Sequence, residues 1–246
     1  MKVCFGIICI GKSYLEEFER LFKPSVSEYC NRNGYDLKIF TDFLDNTRTH
    51  PHTISFQKCL VPSFLKEYDL VVILDADIYI HSQAIPIHFL DMGDKIGIVD
   101  EVHQSTPENY KKLVNSGFAD SGSEYYHKCG FEIQTDKILN TGLVICKPSL
   151  HSDILKSIYE TYVDQSIGHP RGFHYEQSCI GYVLQKDNHY ILIPNCWNHI
   201  YIHSHFNRVP IINQYFVHFA GMRGSQRETA LSGHTRKNFL RWGIKK

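Results

Sequence analysis

The chain alternates short aliphatic runs with longer amphipathic stretches, and the densest run, residues 70–74, reads Leu-Val-Val-Ile-Leu. Five consecutive apolar positions, three of them β-branched, predict a strand buried on both faces, as in the interior of a parallel sheet. The run stops at Asp75-Ala76-Asp77. Such a strand delivers its last residues to the carboxyl edge of the sheet, where open α/β folds hold their ligands. Side chains alternate along an extended chain, so Asp75 and Asp77 are predicted on one side with Ala76 opposite, an arrangement that suits a divalent cation. In a chain with fourteen Asp, roughly 0.8 Asp-x-Asp pairs arise by chance, so the signal is the pair's place at the end of a buried strand.

The same patterning orders the rest of the chain. Residues 3–10 read as the first strand, and 11–14 as a turn in which Ser13 caps a helix with apolar Leu15, Phe18, Leu21 and Phe22, ended by Pro24. A second helix over 25–33 stops at Gly34, and a strand at 37–41 completes a β-α-β unit, so the sheet begins parallel. Residues 53–68 have a helical period. Strands follow at 78–80 and at 96–99, the latter ended by Asp100. Residues 101–134 are polar, rich in Tyr, His, Ser and Gly, and without sustained period, which predicts an irregular binding loop or lid. Regularity returns with a strand at 138–146 that carries the polar triplet Asn140-Thr141-Gly142, and then a helix over 149–163. A loop with Pro170 and Gly172 leads to a helix opening near Glu176-Gln177. Strands at 189–194 and 215–219 close the pattern, which predicts one α/β domain with a mostly parallel central sheet flanked by helices.

Composition narrows the function. Lys plus Arg equals Asp plus Glu at 26 each, so no global field draws nucleic acid and an anionic ligand has to be bound locally. The eight Cys are scattered without a Cys-x-x-Cys pair, which suits buried free thiols in a reducing compartment. The first apolar run is too short to span a bilayer and lacks a cleavage pattern, so a soluble, cytoplasmic protein is expected. Residues 236–246 form a basic tail with Phe239, Leu240 and Trp242 interleaved; it is read either as a solvated terminus or as a peripheral membrane anchor. His199, His203 and His205 are read as a polar surface loop, and Trp197 as either core or a stacking platform for a sugar.

In this order the chain resembles the GT-A class of nucleotide-sugar glycosyltransferases, with a Rossmann-like fold over residues 1–235. It looks most like the retaining families typified by glycogenin and the lipopolysaccharide α-galactosyltransferases. Residues 29–37 also resemble the yeast mannan and plant xyloglucan transferases. The resemblance implies a metal-dependent enzyme that moves a hexose or pentose from a UDP-sugar to a saccharide, glycolipid or glycoprotein hydroxyl with retention. It implies Asp75, Asp77 and His218, the last in His218-Phe219-Ala220-Gly221, as ligands of Mn²⁺ or Mg²⁺; two carboxylates and an imidazole leave about three of six positions free for phosphate oxygens and water. Around the donor it places Tyr14, Lys58, Ala76, Asp100, Asn140, Thr141, Gly142, Gly221 and Arg223, and beneath the reacting carbon Glu176 and Gln177. These families usually hold a Lys shortly after that Gly, where this chain has Gly224, so the diphosphate clamp is left open between Arg223 and Arg227. The alternatives are a sugar-nucleotide or glycan-binding module on the same fold, and a haloacid-dehalogenase-type phosphatase. The latter wants Thr or Val where Tyr79 stands.

Overall fold

The computed structural model describes residues 1–115, 117, 119–168, 176–203 and 214–241, the last eight as backbone only. Strand β1 (Val3–Ile8) leads into helices α1 (Lys12–Leu21) and α2 (Lys23–Asn33), and then into β2 (Asp36–Phe40). Gly34 ends α2 at φ 68°, a left-handed conformation that a residue with a Cβ adopts at a cost. After α3 (Val61–Phe64) come β3 (Leu70–Leu74), β4 (Ile78–Ile80) and β5 (Ile96–Asp100), helices α4 (Pro107–Asn115) and α5 (Gly122–Lys128), and β6 (Leu139–Cys146). The chain continues through α6 (Pro148–Tyr162), α7 (Glu176–Lys186), β7 (Tyr190–Leu192), β8 (His199–Ile200), β9 (Phe216–His218) and α8 (Ser225–Arg241).

Six strands form the central sheet in the order β2-β1-β3-β6-β5-β7. All run parallel except β6, which is antiparallel to both β3 and β5. Helices cover both faces, and β3 explains why: Leu70, Val72 and Leu74 enter the apolar cluster beneath α1 and α2, while Val71 and Ile73 enter the cluster beneath α6 and α7. Every residue of β3 is buried, as its unbroken aliphatic run demands. A smaller sheet, β4-β9-β8, sits beside the first and pairs Ile78 with His218. No helix among the described residues is long and apolar enough to cross a membrane. Seven of the eight Cys are buried and all are free thiols; burial pushes Cys4 up to about 11, which makes it a poor nucleophile.

Several elements depart from the pattern. Residues 53–68 are not one α-helix: 3₁₀ turns at Pro51–Thr53 and Ser55–Leu60 precede the short α3. Pro62 is the cause, because it has no N–H to donate and its ring opposes the carbonyl one turn back. The stretch expected to be irregular holds α4 and α5, whose buried faces use Tyr110, Tyr125 and Tyr126; counting tyrosine as polar hides their period. Ser13 lies inside α1 and caps nothing, since the helix begins at Lys12 after Gly11. His199 and His203 are buried rather than in a surface loop, and Trp197 packs on Tyr215 and Phe216 as core. His205, Pro170, Gly172 and Trp242 lie outside the described residues, as do the side chains of Phe239 and Leu240. Helix α8 runs through position 235 without a break.

Candidate active site

The carboxyl ends of β1 and β3 and the start of β6 meet at a cleft of about 700 Å³, within the range of small-molecule sites. β6 contributes its first residues because it alone runs the other way. Its register with β5 jumps from Ile98↔Val144 to Val99↔Asn140, so Thr141, Gly142 and Leu143 face no partner on β5. Bulges of this kind re-aim side chains beside functional sites. Here the side-chain oxygen Asn140 Oδ1 accepts from Gly142 N–H at 3.0 Å and from Asn198 Nδ2 at 2.8 Å. Asn140 Nδ2 donates to Glu101 at 3.2 Å, so the amide is fixed from three sides.

Asp75 and Asp77 do not lie on β3 but in the turn between β3 and β4, so the alternation argument gives the right convergence by the wrong route. The turn is held by Asp75 N–H to Gly142 O at 2.8 Å and by Phe219 N–H to Asp77 O at 3.0 Å. Each carboxylate has one oxygen held by a cation. Lys58 Nζ donates to Asp75 Oδ1 at 2.6 Å, and Arg227 donates to Asp77 Oδ2 at 2.9 Å. The other two oxygens face one imidazole nitrogen, His218 Nε2, at 3.7 Å from Asp75 Oδ2 and 3.1 Å from Asp77 Oδ1. All three donor atoms lie within 4.8 Å of one another. Two hard carboxylate oxygens and a borderline imidazole, pre-aimed by cations behind them, fit a divalent ion such as Mn²⁺ or Mg²⁺. Gly142 makes the arrangement possible, because a Cβ there would overlap the His218 ring.

Electrostatics follow the same geometry. Burial alone would raise Asp77, but His218 and Arg227 outweigh it and hold the carboxyl below its usual range. For Asp75 burial wins over Lys58 and His218, and its carboxyl is raised. Burial would lower His218, yet Asp77 and Asp75 outweigh it and raise the imidazole. Lys58 is likewise held charged by Asp75 and Glu176 against the pull of burial.

Glu176 and Gln177 open α7 directly below β6. Glu176 Oε1 receives Lys58 Nζ at 2.5 Å and Thr141 Oγ1 at 2.8 Å. Gln177 accepts from Thr141 N–H at 3.3 Å and donates to the Tyr125 hydroxyl at 3.2 Å. Tyr14, at the first turn of α1, lines the opposite wall with Ser13 and Glu17, and its hydroxyl is pushed far up by burial and by the Asp77 and Asp75 carboxylates.

The cleft brings together Tyr14, Lys58, Asp75, Asp77, Asn140, Thr141, Glu176, Gln177, His218, Gly221 and Arg223. Ala76, Asp100 and Gly142 stand behind its wall: Ala76 packs in the core, and Asp100 Oδ1 accepts from Val102 N–H and Ile138 N–H, both at 3.0 Å, fixing the approach to β6. Of the two arginines, Arg227 is buried on Asp77, Glu17 and the Met222 carbonyl, whereas Arg223 is exposed at the rim. Glu17, Tyr125, Glu101 and Asn198 were missed in the sequence. Only Glu17 left a signal, one helical turn beyond Tyr14 on α1.

Neither a protein-family model nor a curated protein sequence matches the chain. Solved structures do match in fold. A glycosyltransferase involved in the glycosylation of the major capsid of PBCV-1 superposes with a TM-score of 0.63 at 18% identity, over 94% of this chain and 99% of that one. The bifunctional glycosyltransferase WbbM superposes with a TM-score of 0.55 at 10% identity over 94% of this chain, which spans 49% of WbbM. The chain therefore has a glycosyltransferase fold, α/β with a Rossmann-like central sheet.

Proposed function

We propose that the chain is a metal-dependent glycosyltransferase of the GT-A class, moving a sugar from a UDP-sugar to a saccharide, glycolipid or protein hydroxyl with retention. The observation that carries this reading is the convergence of Asp75 Oδ2, Asp77 Oδ1 and His218 Nε2 in a cleft whose floor also holds Glu176. Sugar transfer from a nucleoside diphosphate develops negative charge on the departing β-phosphate, and a divalent ion held by these three residues would neutralise it. The chain's own groups take the remaining tasks. Arg223, free at the rim, is suited to a phosphate oxygen, Asn140 and Thr141 present polar atoms to the sugar, and Glu176 offers negative charge to an oxocarbenium-like carbon. The fold likeness to two glycosyltransferases supports the assignment.

The test is incubation with UDP-hexoses and UDP-pentoses, with Mn²⁺ or with EDTA. UDP release that requires the metal, with the first-formed anomer retained by NMR, is expected. Binding without turnover would instead indicate a glycan- or nucleotide-binding module, and release of inorganic phosphate a phosphatase.

Tyr14 is assigned to the uracil. Tyr14→Ala is expected to weaken UDP binding by about 1–3 kcal/mol, the worth of one aromatic stack on a base. An unchanged dissociation constant by calorimetry would return Tyr14 to a packing role.

A further inference from the structure

One ammonium joins the metal carboxylates to the carboxylate on the floor of the cleft. Lys58 Nζ has three donors and meets three acceptors: Asp75 Oδ1 at 2.6 Å, Glu176 Oε1 at 2.5 Å and the Thr141 carbonyl at 3.3 Å. Lys58 and Glu176 are only 6% and 3% exposed, so water screens neither charge well. Glu176 contributes no atom to the set that could hold the ion. It nevertheless reaches that set through a single intervening cation. Thr141 Oγ1 pins the same Glu176 oxygen at 2.8 Å, which keeps the bridge in register.

We infer that Lys58 is a positioning residue through which Glu176 sets the metal affinity: the Glu176 charge offsets the ammonium that holds Asp75, and so keeps that ammonium from opposing a divalent ion. The inference rests on the proposed metal site and goes beyond it, because it makes the metal site and the Glu176 site one electrostatic unit. Removing the charge of Glu176 leaves Lys58 unopposed beside Asp75 and repels the ion. Removing the charge of Lys58 leaves two carboxylates near the ion and attracts it. Removing both restores the balance. A purely structural role for the two side chains predicts otherwise, since each substitution would then disturb Asp75 and weaken binding.

The experiment is a double-mutant cycle on Mn²⁺ affinity, read by the electron paramagnetic resonance of free Mn²⁺, with the full chain carrying Glu176→Gln, Lys58→Met or both. Thermal unfolding in EDTA checks the fold of each variant. Expected are about tenfold weaker binding for E176Q, about tenfold tighter binding for K58M, and a double variant within about threefold of wild type. If K58M does not fold, because it strands a buried carboxylate, the double variant decides: affinity within about threefold of wild type supports the inference, and affinity no better than that of E176Q overturns it. Wild-type affinity in E176Q, or weaker binding in both single variants, overturns the inference while the metal site stands. A wild-type chain that binds no Mn²⁺ overturns both.

Discussion

Asp77→Asn is expected to weaken Mn²⁺-dependent binding of UDP by about 100-fold or more, since even an outer partner of a metal ligand is worth 10–100-fold. The effect is large because Asp77 is occupied on both oxygens: one faces His218 Nε2 and the other holds Arg227. Asn keeps the volume and an acceptor for Arg227 but removes the charge that the ion needs. Alanine is the worse probe. Asp77 is only 7% exposed, as is Arg227, and breaking a buried pair by deleting one member costs about 3–5 kcal/mol. D77A therefore confounds loss of metal with loss of fold, whereas D77N with near-native unfolding isolates the ligand. Wild-type UDP affinity in the presence of Mn²⁺ would remove Asp77 from the metal site.

Gly142→Ala is expected to damage the site without replacing any charged group. A Cβ at 142 would overlap the His218 ring, and that ring has nowhere to retreat, being at the end of β9 and only 4% exposed. Either His218 swings away from the two carboxylates or β6 moves off its neighbour. Both outcomes take an imidazole nitrogen out of the donor set, with an expected loss of at least about tenfold in Mn²⁺ affinity. Overpacking of this kind costs about 1–3 kcal/mol, a drop of several degrees in Tm. Mn²⁺ titration beside calorimetric unfolding reads both quantities. Native Mn²⁺ affinity with Ala at 142 would show that His218 is not a ligand.

The parts legible in the sequence are those fixed by local pattern. The aliphatic run of β3, its acidic terminus and the Gly34 stop of α2 each follow from periodicity or backbone chemistry within a few residues. What stayed hidden depends on distant partners. The reversal of β6 leaves no local mark, because an antiparallel strand buried on both faces has the same composition as a parallel one. The bulge at Thr141–Leu143 exists only relative to β5. Arg227 was legible as a candidate phosphate ligand, but its bond to Asp77 spans 150 positions in the chain, and no helical or strand period encodes that. The tyrosine faces of α4 and α5 were legible in principle and were misread as polar.

The pairing of Ile78 with His218 in the small sheet sets residues from the first third of the chain against residues from its last eighth. A metal ion bound by Asp75, Asp77 and His218 is then a reversible cross-link across that span. It ties β9 to the turn after β3 only when both are already docked. Loading the ion stabilises the native state alone, by RT ln(1 + [M]/Kd), so the unfolding temperature climbs with metal concentration. Removing such an ion is expected to loosen β9 before it loosens the central sheet. Protection of the β9 amides from hydrogen exchange would then be tied to metal supply, and the ion would fasten the architecture beside its part in the proposed transfer.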